Sequence, residues 1–159
     1  MGHSLLRIVF ELDSSAWHGN ATERLWAEPV GEGRYRLRNS PFFAFGVSNE
    51  DVVSGEDRGG QLCFLGVSIR GGHSTYRLKL GGQGRGTPTF QEYWTPLEKL
   101  GCSYEEGPVH SVDVPPSADI YVVYGLLEAA EAAGVWVFEE GHCGHPLQGE
   151  SGGTTEGSI

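Results

Sequence analysis

Positive charge almost disappears from the second half of this chain. After Leu80 only Arg85 and Lys99 are basic, against twelve Asp and Glu, whereas residues 1–80 balance nine basic against nine acidic side chains; the whole formal net charge of −10 therefore falls in residues 81–159. A nucleic acid partner needs a basic footprint, so this balance argues against one. No apolar run reaches the roughly 18 residues that a spanning helix requires, and the start of the chain lacks the basic and long apolar regions of a secretory signal. The expectation is a cytoplasmic protein with no membrane partner. Cysteine is scarce as well: Cys63, Cys102 and Cys143 are odd in number and widely spaced, which excludes a disulfide framework.

What is present is glycine and aromatic residues. Apolar side chains make up 38% of 159 residues and there are 25 glycines, so four Trp, six Tyr and seven Phe must supply much of the buried area. That length suits one domain or two very small ones.

Leu5 to Leu12 reads as a strand with Leu6, Ile8, Phe10 and Leu12 on one face. Glu23 to Pro29 and Arg34 to Leu37 form a hairpin around Gly31-Glu32-Gly33. Val52-Val53 is a short strand after an acidic turn, and Gln61 to Ile69 alternates around Gly66. Short strands with glycine turns at this spacing predict a small antiparallel β sheet or half-barrel over residues 1–72.

The second part has another grammar. Ser74 to Leu80 alternates Tyr76, Leu78 and Leu80 against Thr75, Arg77 and Lys79, the signature of a half-buried strand. Pro88 to Leu100 places Phe90, Tyr93, Trp94, Leu97 and Leu100 at helical spacing, stopped by Gly101. Cys102 to Glu106 and Val109 to Val114 read as strands. Ser117 is placed to cap a helix from about Ala118 to Ala133, closed by Gly134, and Val135 to Phe138 is the last strand. The order βαββαβ over residues 73–144 predicts a ferredoxin-like module and an α+β class for the chain. Gly81 to Gly86 reads as a flexible loop and residues 145–159, rich in Gly, Ser and Thr, as a disordered tail.

The segments Glu23-Arg24-Leu25-Trp26-Ala27-Glu28-Pro29, Gly33 to Asn39, Pro41 to Gly46 and Asp51-Val52-Val53 resemble a bacterial family known only as domain of unknown function 4265. Gly72 to Arg77, Leu100-Gly101-Cys102, Asp113-Val114-Pro115 and Glu139 to Gly144 resemble its later segments. That resemblance implies no activity, cofactor or catalytic residue. In size and acidity the chain is also similar to immunity proteins that neutralise polymorphic toxins, which is an analogy only.

Several residue groups invite a chemical reading. His142-Cys143-Gly144-His145 offers zinc donors, with His73, Cys102 and His110 as distant additions, yet three donors within four residues do not easily reach one ion and no Cys-x-x-Cys accompanies them. Cys102 follows a helix rather than opening one, so no helix N-terminus favours its thiolate. His73, Ser74 and Asp113 make a triad only on paper, because a triad is a geometry. Gly81 to Gly86 lacks the Gly-Lys-Ser/Thr ending of a phosphate loop. No metal, cofactor or catalytic set is therefore expected, and the chain reads as a non-enzymatic binder of a cationic protein. The expected contact residues are Glu105, Glu106, Asp113, Asp119, Tyr121, Glu128, Glu131, Glu139 and Glu140, with carboxylates steering encounter and aromatic rings supplying affinity. A metal- or cysteine-dependent small enzyme or regulator, or a ligand-sensing accessory domain, is the alternative.

Overall fold

A computed structural model describes residues 4–81 and 88–147. It is a mixed α+β structure, mostly strand, with two sheets and two helices among the described residues. The strands β1 (Leu6–Glu11), β2 (Thr22–Gly31), β3 (Arg34–Leu37), β4 (Val52–Arg58) and β5 (Gln61–Ile69) pair in sequence order and close into a barrel. Closure comes from a parallel pairing of β1 with β5, Ile8 opposite Leu62 and Val9 opposite Cys63. The half-open sheet expected from the sequence is thus a closed one. Register shifts between Pro29 and Gly31, and in β4 at Val52/Val53 and Ser54/Gly55, supply the extra twist that bending a short sheet shut requires. Gly55 lies inside the bend, where a Cβ would meet Leu62 Cδ1 at 3.0 Å and Ile8 Cδ1 at 3.2 Å. Ile8, Phe10, Leu25, Ala27, Leu37 and Val53 fill the interior, and Phe10 stacks on Phe64 with centroids 4.3 Å apart. Leu6, expected to point inward with them, is exposed.

Residues after Gly72 form β6 (Ser74–Leu80), α1 (Pro88–Lys99), β7 (Ser103–Glu105), β8 (His110–Val114), α2 (Ile120–Ala132) and β9 (Trp136–His142). The sheet order is β7-β8-β6-β9 and every pairing is antiparallel. One face carries Tyr76, Leu78, Val112, Val114 and Trp136 against Phe90, Trp94 and Leu97 of α1 and Ile120, Val123 and Leu127 of α2. Asp119, not Ser117, caps α2: its carboxylate accepts the N–H groups of Tyr121 at 2.9 Å and Val122 at 3.4 Å. Gly134 follows the helix at φ 79°, as its place in the sequence predicts.

The alternation in β6 predicted one dry face and one wet face, but the second is buried as far as Arg77: Thr75 is fully covered and Arg77 is only 2% exposed, and of the three expected polar residues Lys79 alone is exposed. The reason is the barrel. Its loop between β3 and β4 packs on the sheet face opposite the helices. Arg77 Nη1 donates to the Ala44 carbonyl at 2.8 Å and Nη2 to that of Phe43 at 3.0 Å, and Ser111 Oγ donates to that of Pro41 at 2.7 Å. From the barrel side Glu23 accepts the N–H groups of Phe42, Phe43 and Ala44 at 2.6, 3.0 and 2.9 Å. Buried peptide groups need partners, and here one carboxylate and one guanidinium supply them.

The first residue of the expected tail is packed on the sheet. His145 is buried; its Nδ1 lies 2.6 Å from Ser74 Oγ and its Nε2 2.9 Å from the Pro115 carbonyl. A carbonyl only accepts, so Nε2 carries a proton and donates to Pro115. The remainder of that tail, 148–159, and residues 82–86 of the glycine loop lie outside the described residues.

Candidate functional site: a tyrosine and glutamate groove

A groove of about 340 Å³ runs between α2 and β9 on the helix-bearing side of the sheet. Tyr121, Tyr124, Gly125 and Glu128 line it from α2, one helical turn apart, because residues three and four apart share a helix face. Tyr76 of β6 and Glu140 of β9 form the floor, with Cys143 and Leu147 beyond. Tyr76 Oη donates to Glu140 Oε1 at 3.1 Å, and the Tyr76 ring meets Tyr124 edge-on at 6.1 Å and Phe138 at 6.2 Å. Burial, reinforced by the Glu140 charge, holds the Tyr76 phenol well above its ordinary pKa. It is a fixed neutral donor that orients the carboxylate. Tyr121 is half exposed and Tyr124 40% exposed, so part of each aromatic side chain is open to solvent.

Among the described residues no lysine or arginine lines the groove. Aromatic faces carry negative quadrupole and Glu128 and Glu140 carry formal charge, so the groove is suited to an ammonium or guanidinium group, each such ring contact contributing about 0.5–2 kcal/mol. Gly125 sits in the middle of α2, where glycine costs about 0.5–1 kcal/mol relative to alanine. A Cβ there would meet nothing within 4 Å, so packing does not account for the glycine. The space it leaves lies in the groove.

Of the residues expected to contact a partner, the structure brings Tyr121, Glu128 and Glu140 together. Asp119 caps the adjoining helix end, and Glu131 Oε1 accepts the Phe138 N–H at 3.0 Å on the unpaired side of β9. The rest are elsewhere. Glu139 points to the opposite sheet face and pairs with Arg77 Nε at 3.3 Å. Asp113 meets His73 Nδ1 at 2.9 Å; its carboxyl is held above the usual range by burial, with His73 pulling the other way. Glu105 is likewise raised by desolvation, opposed by hydrogen bonds from Ser40 and Asn39 on the barrel side, and Glu106 is exposed just past β7. Strand alternation therefore divides the carboxylates between two faces.

The histidines and cysteines are spread too. Among the described residues no three His, Cys, Asp or Glu side chains converge as a metal-holding group. Cys102 is buried, its thiol pushed up to about 12 by desolvation, and His110 stacks on Tyr104. Ser74 and His145 are in hydrogen-bond contact, but the serine is wholly buried and its oxygen also accepts the Gly144 N–H at 2.9 Å. That contact fastens the end of the described chain to the sheet.

The fold defines an α+β protein that joins a five-stranded barrel to a four-stranded sheet with two helices. The chain belongs to the family described as Domain of unknown function (DUF4265), whose model matches residues 23–138. Among solved structures it is similar to a hypothetical protein from Neisseria gonorrhoeae, with a TM-score of 0.73 and 20% identity over 92% of this chain and 99% of that one. At that identity the likeness is one of fold. No curated protein matches the sequence.

Proposed function

We propose that this protein works by binding, as an immunity protein that occludes a cationic bacterial toxin, and that the docking point is the groove between α2 and β9. One observation carries the reading: three tyrosines and two glutamates line a single groove, with no lysine or arginine in its lining among the described residues. A lysine or arginine of the partner would enter between Tyr121 and Tyr124 and meet Glu128 and Glu140. The wider acidic surface, including Asp119, Glu131 and Glu106, would steer the approach without setting the affinity. In the same reading the unit from Ser74 onward is a ferredoxin-like module beside a barrel module. Its support is the chain order βαββαβ combined with the spatial order β7-β8-β6-β9.

The test is the association rate of an oligo-arginine peptide measured against salt. The rate should fall steeply as the Debye length shrinks from about 30 Å at 0.01 M to about 8 Å at 0.15 M. Glu140→Gln together with Glu128→Gln should weaken binding at every salt concentration. A rate that is flat with salt, or a double variant that binds as well as the parent, contradicts the reading.

A further inference from the structure

The barrel loop covers only part of the sheet face that lies opposite the helices. Beyond Arg77 the outward residues Lys79 and Val137 of two neighbouring strands remain exposed, Val109 lies buried beside them, and Trp17 from the loop between β1 and β2 stands over them. Together they bound a second cleft of about 280 Å³, on the other side of β9 from the tyrosine groove. Trp17 is 58% exposed and Val137 55%. Exposing an indole to that extent without a partner forfeits area that burial would reward.

The indole is nevertheless held in place. It meets the Phe43 ring edge-on at 5.8 Å and the His18 ring at 5.5 Å, and His18 in turn lies 4.6 Å from Phe43. Phe43 belongs to the loop gripped by Glu23 and Arg77, so this wall is anchored to that loop. A wall ordered before the ligand arrives does not have to be ordered by it.

The charges give the cleft a sign. Arg77, Lys79 and Lys99 are the basic residues described between 73 and 147, and two of them line this cleft. The Arg77 guanidinium is committed to the loop carbonyls and to Glu139. Lys79 has no ion-pair partner among the described residues. Its ammonium is therefore available in a cleft whose other charged lining residues, Arg77 and Glu139, are paired with each other, the rest being Trp17, Val109, Val137 and Phe138.

We infer that this cleft is a second binding site, for a small organic acid with a flat apolar body: the body lies between the Trp17 indole and Val137, and the carboxylate meets Lys79. A volume just below the about 300–1,000 Å³ usual for ligand pockets favours a small molecule over a protein segment. The inference does not depend on the tyrosine groove, which opens on the other face of the sheet.

The experiment titrates the full chain with sodium 1-naphthoate, and in parallel with neutral 1-naphthamide, followed by backbone and indole amide NMR shifts. Naphthoate should shift the Trp17 indole N–H, Lys79 and Val137 in a saturable way, and naphthamide should bind about tenfold more weakly, the difference expected for a lost hydrogen bond to a charged group. Lys79→Met should abolish that preference and Trp17→Ala should remove binding, while Tyr124→Ala should leave both unchanged. Equal binding of acid and amide, shifts centred on Tyr121 and Tyr124, or no saturable shift at all would each overturn the proposal. So would an acidic peptide that displaces naphthoate more effectively than free carboxylates of its own composition, since it would assign the cleft to a protein segment.

Discussion

Glu23 and Arg77 hold the same stretch of chain from opposite sides. The carboxylate of Glu23 receives the N–H groups of residues 42–44 while the guanidinium of Arg77 gives its hydrogens to the carbonyls of Phe43 and Ala44. Neither residue touches the other, yet each satisfies the polar groups that the other leaves. The loop between β3 and β4 thereby joins the barrel to the sheet, and the Phe45 ring covers the guanidinium 4.7 Å away.

Removing one grip should cost more than removing a surface pair. Arg77→Ala leaves buried carbonyls unsatisfied and is expected to lower stability by about 3 kcal/mol in urea unfolding. Glu139→Gln touches only the 40% exposed partner of that arginine and should cost at most about 1 kcal/mol. Equal losses in the two variants would show that the Arg77–Glu139 ion pair, not the loop, is what matters.

The cap of α2 offers a clean comparison. Asp119→Ala should destabilise by about 1 kcal/mol, and Ser117→Ala should do little, because Asp119 alone accepts the first helical N–H groups. Thermal unfolding of both variants decides it.

His142 makes the seam between the two sheets sensitive to acid. Its ring lies 3.4 Å from Arg70 Nη1, and desolvation, then the Arg70 charge, lowers its pKa from the usual 6.5. The unfolded chain therefore takes up the proton first. The contribution of His142 is fully present above about pH 6.5 and is lost as pH falls through the lower folded value. His142→Gln should flatten stability over that window; a variant with the parent's slope there would contradict the assignment.

Gly125 separates stability from binding. Gly125→Ala should stabilise α2 by about 0.5–1 kcal/mol and raise the melting temperature by a few degrees. Gly125→Met, which projects a side chain into the groove, should retain the fold and lose affinity for a cationic peptide. A Gly125→Met protein that binds like the parent would place the binding surface elsewhere.

Much of the architecture could be read from local pattern. The alternation of β6, the helical spacing of Phe90, Trp94 and Leu97, and the stops at Gly101 and Gly134 each have a physical cause within a few residues. What escaped depends on distant chain. Pairing of β1 with β5 joins segments about fifty residues apart and leaves no local trace, so closure of the barrel was invisible. Ser54-Gly55-Glu56-Asp57 has the composition of a turn but is strand, held by β5. Arg77 and Glu23 sit where alternation predicts solvent, and are buried because the loop between β3 and β4 lies between them and covers both. Ser117 looked like the cap since it follows two prolines, whereas the chain turns into helix only after Asp119. Charge counting found the acidic half but not its division, because whether Glu139 or Glu140 faces α2 is settled by register. Gly125, an isolated glycine inside an apolar helix, was the available signal for the groove.

The most direct measurement of the central claim is an amide NMR map of the full chain titrated with an oligo-arginine peptide at low salt. The account predicts saturable shifts concentrated at Tyr121, Tyr124, Gly125, Glu128 and Glu140, abolished by Tyr124→Ala. Small shifts spread evenly over Glu105, Glu106, Glu131 and the other carboxylates, undiminished in that variant, would contradict it.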